Sequence, residues 1–320
     1  MAYENVIARG DVPIAEDYAT QIIDNAADQS AAMTLFRQAR LSKAQQRFPV
    51  LSALPTAYWV NGDTGLKQTT EMAWANKYLN VEEIAAIVPV PENVLNDSDF
   101  DIWGEVRPKL ETAIARTLDS AIFFGVNAPG SFPTAVVPAA RAAGNVATAP
   151  ATLDPKTGGV FGAVDDLIGQ IEDDGYDPTG YLANRSIRGL FRSARNANGE
   201  RLDRDRLSAG LDELDGDPIT YAMRGMWDPS LLAIAGQWDA FVLGIRQDMT
   251  YKILDQAVIQ DNTGKIVYNL AQQDMVAMRV TFRAGWQVAN PVNYDNAGPE
   301  ASRYPAAILE RTAQGDGGGA

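Results

Sequence analysis

The chain has 320 residues and a mass of 34.5 kDa, and 27 basic against 41 acidic side chains give it a net charge of −14. It contains neither Cys nor His, which excludes disulfides, thiolate nucleophiles, Cys/His zinc sites and a Ser-His-Asp triad. The acidic charge argues against nucleic-acid binding by broad neutralisation of phosphates, and 46% apolar residues are typical of a globular protein.

The chain begins without the apolar stretch of a signal peptide, and no apolar run reaches the roughly 20 residues that a membrane helix needs. We therefore expect synthesis in a cytoplasm, and the length predicts about two domains. Residues 1–46 are predicted to form an N-terminal arm. Helix formers lie between Ala15 and Leu41, but their irregular apolar spacing indicates a weak helix or two short ones. Whether the arm lies on its own core or on a neighbouring chain stays open.

Residues 47–79 predict a long β-hairpin. Its first limb is rich in β-forming residues, and residues 61–65 read Asn-Gly-Asp-Thr-Gly, a composition typical of turns. Because Pro49 and Pro55 cannot donate ladder hydrogen bonds, we expect the hairpin strands to be edge strands.

The aromatic residues of this hairpin need cover. A two-stranded hairpin is only marginally stable alone in water. We therefore expect Tyr58, Trp59 and Trp74 to be covered either by the same domain or by another subunit.

A strand and a long helix are predicted next. The β-branched residues of Ile84–Val90 indicate a buried strand, which Pro89 and Pro91 are expected to end. Residues 98–124 then predict a helix on the order of 40 Å long, at 1.5 Å per residue.

This helix has predicted boundaries and a weak point. Ser98 is the expected N-cap with Asp101 in the capping-box position, and Gly125 is the residue expected to end the helix. Pro108 removes a backbone hydrogen bond inside it, so we expect flexure at Gly104 and Pro108. One apolar stripe runs along the helix at Ile102, Val106, Leu110, Ile114, Leu118 and Ile122.

Residues 134–249 are predicted to form a second domain of mixed α/β character, and residues 250–310 return to β-structure with a long alternating strand at Met275–Asn290. The Gly-rich end, residues 311–320, is predicted to be disordered. Within the second domain the predicted helices are Phe161–Ile171 and Ser186–Ala194, and the predicted strands are Gly180–Asn184, Asp217–Met223 and Ala240–Ile245.

The sequence predicts no catalytic, cofactor-binding or metal-binding residue. Residues 261–265 resemble a phosphate-binding loop but lack its first glycine and its Ser or Thr, so a hairpin turn is favoured. Residues 172–175 and 212–216 are rich in carboxylates but lack the bidentate Glu of a calcium loop, so solvated turns are favoured.

The order of the predicted parts resembles that of the major capsid proteins of tailed double-stranded DNA phages, which have the Hong-Kong-97-type fold. The resemblance covers nearly the whole chain and is strongest in three stretches. Residues 47–62 (RFPVLSALPTAYWVNG) are similar to the extended loop, residues 84–97 (IAAIVPVPENVLND) to the entry of the spine helix, and residues 280–291 (VTFRAGWQVANP) to the closing strand of the peripheral domain.

The resemblance implies an α+β capsid fold and a structural, non-enzymatic role without cofactors. Copies are expected to assemble as pentamers and hexamers into an icosahedral shell that encloses double-stranded DNA, in a virion made in the host bacterial cytoplasm. Portal and scaffolding or decoration proteins are further expected partners, and no membrane is expected. Subunit contacts are predicted at Tyr58, Trp59, Lys67 and Trp74. The implied parts are an N-terminal arm (1–46), an extended loop (47–79), a peripheral domain (80–133 and 250–310) with a spine helix (98–124), an axial domain (134–249) and a disordered tail (311–320).

Two variations within the family bear on this chain. Some members carry a cleaved scaffolding segment before the arm, whereas here the arm begins close to Met1, which implies a separate scaffold or none. Other members join Lys to Asn covalently with the help of a Glu. Candidates are present, but no Glu stands beside the Asn residues before Glu300, so crosslinking is not expected. The candidate residues are Lys67, Lys77, Asn290 and Asn293.

Three other functions were weighed. An encapsulin-type bacterial shell has the same fold but needs an inner groove for a cargo peptide. A carboxylate-based hydrolase such as a glycosidase needs two carboxylates about 5–9 Å apart in a cleft. A tail or baseplate protein would lack a spine helix in this position.

Overall fold

The computed structural model describes residues 30–57, 59, 69–97, 101–149, 159–195, 198, 200 and 210–311. The helices are α1 (Ala31–Leu35), α2 (Glu92–Asp97), α3 (Ile102–Asp119), α4 (Val136–Ala143), α5 (Gly159–Asp173) and α6 (Ile187–Ser193). The strands are β1 (Arg37–Arg40), β2 (Gln45–Ala53), β3 (Ala73–Asn80), β4 (Glu82–Pro91), β5 (Val146–Ala149), β6 (Tyr181–Ala183), β7 (Glu213–Leu214), β8 (Asp217–Tyr221), β9 (Leu231–Gly236), β10 (Phe241–Leu254), β11 (Val258–Gln260), β12 (Ile266–Asn269), β13 (Met275–Val288) and β14 (Ala306–Arg311).

A four-stranded sheet, in the order β1-β10-β13-β4, supports the long helix α3. Its centre is the antiparallel pair of 14-residue strands β10 and β13, with β4 antiparallel on one side and β1 parallel on the other. The prediction that Pro89 and Pro91 end this strand is right for Pro91, which is the last residue of β4, and wrong for Pro89, which lies within the ladder opposite Ala277. Within the described part of the chain β4 pairs only with β13, so its outer edge has no described ladder that Pro89 would interrupt.

A six-stranded sheet, in the order β5-β14-β9-β6-β8-β7, forms the second half of the fold. Helix α5 packs on it and covers a separate apolar core that includes Phe161, Leu167 and Ile171. The helix and strand segments predicted for this region are found as α5, α6, β6 and β8.

The two sheets divide the chain at different points from the predicted domain boundaries. Residues 241–249 were predicted in the axial domain but belong to β10 of the four-stranded sheet, whereas residues 306–311 pair with β5 and β9 in the six-stranded sheet. Arg311, the first residue of the predicted tail, is the last residue of β14, and residues 312–320 lie outside the described residues. The apolar run Ala306–Leu309 is fully buried there, but nothing in the order of elements indicates this distant pairing.

The long helix begins and ends at residues that its sequence explains in part. Asp101, rather than Ser98, is the N-cap, and its carboxylate accepts a hydrogen bond from the Gly104 N–H at 3.0 Å; Ser98 lies outside the described residues. Helix α3 passes at Asp119 into a π-helical turn, Ser120–Phe124, which we call the π-turn. It ends at Gly125 with φ 73°, as predicted.

An aromatic cluster fills the space between α3 and the four-stranded sheet. Phe36, Phe123, Trp238, Phe241 and Trp286 are all buried, and Phe36 has ring centroids of the other four within 5.0 to 6.2 Å. Phe36 comes from the predicted arm, so the arm contributes to the core. Helical structure in the described part of the arm is confined to α1, because the following residues pair with β10 as β1.

Candidate functional site

The β2–β3 hairpin carries the surface that the sequence marks as a subunit contact. The two strands pair with each other and with no third strand among the described residues. Trp59 is 99% exposed, and Trp74, which lies opposite Leu51 in the ladder, is 60% exposed. Met72 is also exposed. Tyr58 and Lys67 lie outside the described residues.

These exposures bear on the two alternatives left open for the hairpin, cover by its own domain or by another subunit. Neither Trp59 nor Trp74 is covered by the described part of its own chain. Large aromatic side chains are the groups that contribute most free energy when they are buried in protein interfaces. The geometry therefore favours cover by a second protein surface.

The base of the hairpin, in contrast, is fixed to the four-stranded sheet. Gly244 of β10 and Gly285 of β13 are directly opposite each other and leave a depression without side chains. Leu79 of β3 lies in it and is only 2% exposed, and a methyl group added to Gly285 would overlap the backbone carbonyl of Asn80. The close approach of hairpin and sheet therefore requires glycine at position 285.

Polar contacts extend this attachment along the lower half of the hairpin. The Gln287 side chain donates to the Tyr78 carbonyl at 3.0 Å, and the Val292 N–H donates to the Leu51 carbonyl at 3.1 Å. Lys77, whose side chain is mostly buried, forms an ion pair with Glu300. The hairpin is thus attached to the sheet at its base, while Trp59 and Trp74 stay exposed.

The asparagines considered for crosslinking are engaged within the chain. Asn290 is buried; its oxygen accepts from the Tyr176 hydroxyl at 2.5 Å and its amide donates to the Arg303 carbonyl at 3.0 Å. Burial raises the pKa of Tyr176 to about 12, so this hydroxyl keeps the proton that it donates. Asn293 donates to the Asp174 carbonyl at 2.7 Å. The expectation that the chain forms no crosslink stays a prediction.

Sequence reasoning missed the polar centre to which these asparagines belong. Asp174 was predicted to lie in a solvated turn, and this is wrong: the turn is present at Gly175, but Asp174 is buried. Its carboxylate accepts from the Asn145 amide at 2.8 Å, from the Tyr304 N–H at 2.9 Å and from the Asn296 amide at 3.0 Å. An Asp-Gly turn looks the same in sequence whether it faces water or the interior, so only the distant partners could have revealed this centre.

The other two turns agree with their predictions. Residues 261–265 form the connection between β11 and β12, where Asp261 accepts from the Thr263 N–H at 2.9 Å and the Lys265 N–H at 3.0 Å. These bonds, with that from the Thr263 hydroxyl first, lower the pKa of Asp261. Asp215 and Gly216 have positive φ and connect the short strands β7 and β8.

The two residues predicted to allow flexure of the spine lie one helical turn apart in α3. Pro108 has no N–H, so the carbonyl of Gly104 receives no helical hydrogen bond from it. Gly104 also has a local role, since a methyl group there would lie 2.6 Å from the Asp101 carboxylate that caps the helix. The missing bond is the physical basis of the predicted weak point, which stays a prediction.

No group of three or more Asp and Glu side chains among the described residues is arranged to hold a metal ion. None of the helices in the same ranges is long and apolar enough to cross a membrane.

Comparisons with known proteins agree on one family. The phage capsid family matches residues 10–293. The major capsid protein of Staphylococcus phage 80alpha is 24% identical over 288 residues, which cover 88% of this chain and 83% of that protein. A solved chain from Microbacterium phage Oxtober96 is 36% identical with a TM-score of 0.80, covering 96% of this chain and 100% of that one. One from Mycobacterium phage Cain is 28% identical with a TM-score of 0.82, covering 97% and 99%.

Proposed function

The chain belongs to the phage capsid family and is a major capsid protein with the Hong-Kong-97-type fold, and we propose that its copies assemble as pentamers and hexamers into an icosahedral shell around double-stranded DNA. The observation that carries this proposal is the hairpin: its base is fixed to the sheet, whereas its side chains Trp59 and Trp74 are uncovered. A hairpin of this kind is suited to lie on a neighbouring copy of the chain and bury its tryptophans there. In this proposal the hairpin corresponds to the extended loop, and the four-stranded sheet with α3 corresponds to the peripheral domain.

The contact energy of one hairpin would be appreciable. Burying a large aromatic side chain at the centre of an interface contributes on the order of 2–4 kcal/mol. Each copy carries two such tryptophans, so every interface between neighbours in a ring would gain a contribution of this order from each of them. Repetition around a closed ring would then make assembly cooperative without a large area in any single contact. Lys67 and Tyr58 belong to the same proposed contact surface.

The charge of the chain suits a container that releases its contents. A net charge of −14 gives the wall little affinity for packaged DNA, which favours delivery over storage. Portal and scaffolding or decoration proteins are the further partners proposed for such a shell. Its proposed place is the virion capsid, assembled in the cytoplasm of a bacterial host, and its role is structural rather than enzymatic.

An encapsulin-type shell would use the same fold. Its gene neighbours and its cargo distinguish it from a phage shell. Terminase and portal genes beside this gene support a phage shell, whereas a gene for a cargo enzyme such as a peroxidase would support the alternative. A carboxylate-based hydrolase would act as a small oligomer, and the family membership does not favour it.

The hairpin contact is tested by a pair of double variants. Trp59→Ala with Trp74→Ala should leave folded subunits that no longer form rings or shells, because the apolar contact is lost. Trp59→Phe with Trp74→Phe keeps aromatic surface at both positions and should still assemble. Electron microscopy and sedimentation score both. Normal shells from the alanine variant, with both pairs equally folded, would contradict the proposed role of the hairpin.

A further inference from the structure

The short helix α1 is held against the spine helix at its first residues. The Asp119 carboxylate, fully buried at the end of α3, accepts from the Ser30 hydroxyl at 2.6 Å. It also accepts from the N–H groups of Ala31 at 2.8 Å and Ala32 at 3.1 Å. Thus the N–H groups at the start of α1, which have no partner inside a helix, are satisfied by a residue 87 to 89 positions away in the chain.

The other end of α1 is held by aromatic packing. Phe36 directly follows the helix and is 4% exposed. Its ring stacks on Phe241 at 5.0 Å and meets the edge of Phe123 at 5.6 Å. The spine therefore contacts α1 twice, through Asp119 at one end and through Phe123 at the other.

The π-turn lies between these two contacts. Asp119 is the last residue of α3, and Phe123 is the fourth residue of the π-turn. A π-turn is a rare, wider turn that rotates the residues after it relative to an α-helix, and such turns persist only where the surroundings hold them. Here the surroundings are α1 and the aromatic cluster. Both contacts to α1 are satisfied together in the π register.

We infer that α1 is a releasable clip whose docking is coupled to the π-turn, so that clip and turn form one two-state element. With the clip docked, Phe123 is held in the aromatic cluster and the π register is maintained. With the clip released, the segment Ser120–Phe124 returns to α-helical hydrogen bonding and Phe123 rotates away from its position against Phe36.

The position of the clip would allow the two-state element to transmit a force from the N-terminal arm to the spine helix. Ser30 is the first described residue of the predicted N-terminal arm, and residues 1–29 of that arm precede it. A load on the arm from outside the subunit would therefore act first on the bonds to Asp119 and pass from there into the end of the spine helix. Only this use rests on the proposed shell; the coupling itself is a property of one subunit.

Amide hydrogen exchange on the unassembled subunit tests the coupling. Phe36→Ala removes one contact of the clip and should speed exchange at residues 121–125 about tenfold or more. Strand β9 should be unchanged. Phe161→Ala is the matched control, since Phe161 is also buried, stacks on Phe191 at 5.3 Å and belongs to the second core rather than to the one that contains Phe36. If both variants speed exchange at 121–125 equally, the coupling is refuted.

The reverse experiment starts from the turn. Deleting Ser120 shortens the π-turn by one residue and favours an α-helix, which should undock the clip. Trypsin should then cut after Arg37, directly behind the clip, at least about tenfold faster than in the natural chain. Retained protection of Arg37 in a folded deletion variant would overturn the inference. If the deletion prevents folding, the exchange comparison decides alone, and it remains decisive when the subunit fails to form shells.

Discussion

Gly285→Ala should dislodge the hairpin from the sheet, because the added methyl group meets backbone rather than a movable side chain. It would overlap the Asn80 carbonyl oxygen and lie 2.8 Å from the carbonyl carbon. The Asn80 carbonyl cannot rotate away unless the peptide plane at the end of β3 turns and the backbone path changes there. The base of the hairpin must therefore move by on the order of 1 Å.

The cost of this movement follows from what the base holds. Leu79 is withdrawn from its depression, and the 3.0 Å bond from Gln287 to the Tyr78 carbonyl is strained. Overpacking of this kind typically costs 1–3 kcal/mol, and one weakened hydrogen bond adds about 1 kcal/mol. We expect Gly285→Ala to lower the free energy of unfolding by about 2–4 kcal/mol. Shell formation should fail as well, since the hairpin end is displaced.

Two other glycines supply a graded control. A methyl group at Gly244 would lie 2.5 Å from Leu41 Cδ1 and 2.8 Å from Leu79 Cδ2, both flexible side-chain ends, so Gly244→Ala should cost less. Gly169 in α5 has nothing within 4 Å, and Gly169→Ala should be neutral or stabilise by up to about 1 kcal/mol. Urea unfolding of the unassembled subunits measures all three. If Gly285→Ala unfolds at the same urea concentration as Gly169→Ala, the reasoning about the hairpin base is wrong.

Three further predictions concern single side chains. Burial raises the pKa of Asp119 to about 6, so the folded subunit binds a proton there as the pH falls. The free energy of unfolding should therefore rise by about 0.8 kcal/mol from pH 7.5 to pH 5.5, and this gain is lost as the pH rises through 6. Urea unfolding at both pH values should show this gain in the natural chain and not in Asp119→Asn. An equal change in the free energy of unfolding in the two proteins would contradict the prediction. The fully buried Tyr304 hydroxyl has no hydrogen-bond partner among the described residues, so Tyr304→Phe should keep or raise thermal stability, and a loss above about 1 kcal/mol would contradict this. Pro108→Ala restores the missing helical bond and should alter expansion of the shell between its immature and mature forms, which electron microscopy of both forms measures; unchanged expansion would remove the predicted weak point.

Local patterns predicted the elements whose signals are themselves local. The stripe of α3 lies mostly in the core, and the periodicity of Phe161–Ile171 corresponds to α5. The hairpin followed from its turn composition and its prolines. Each of these signals lies within a few residues of the structure that it describes.

The features that sequence reasoning missed depend on distant partners. Asp119 appears in sequence as an ordinary helix residue, and its role is set by Ser30, 89 positions earlier. The same holds for Asp174, whose partners Asn145, Asn296 and Tyr304 are 29 to 130 positions away, and for β14, which pairs with strands far from it in the chain. β4 can continue past Pro89 because, among the described residues, no strand lies beyond it in the sheet. Periodicity contains none of this information.

The central claim is that copies of this chain assemble into a closed shell. Its most direct test is to express the chain alone and image the purified product by negative-stain electron microscopy. The account predicts closed shells, or free rings of five and six subunits. If only a dispersed 34.5 kDa species is present, and it stays dispersed when the neighbouring phage genes are coexpressed, the claim is contradicted.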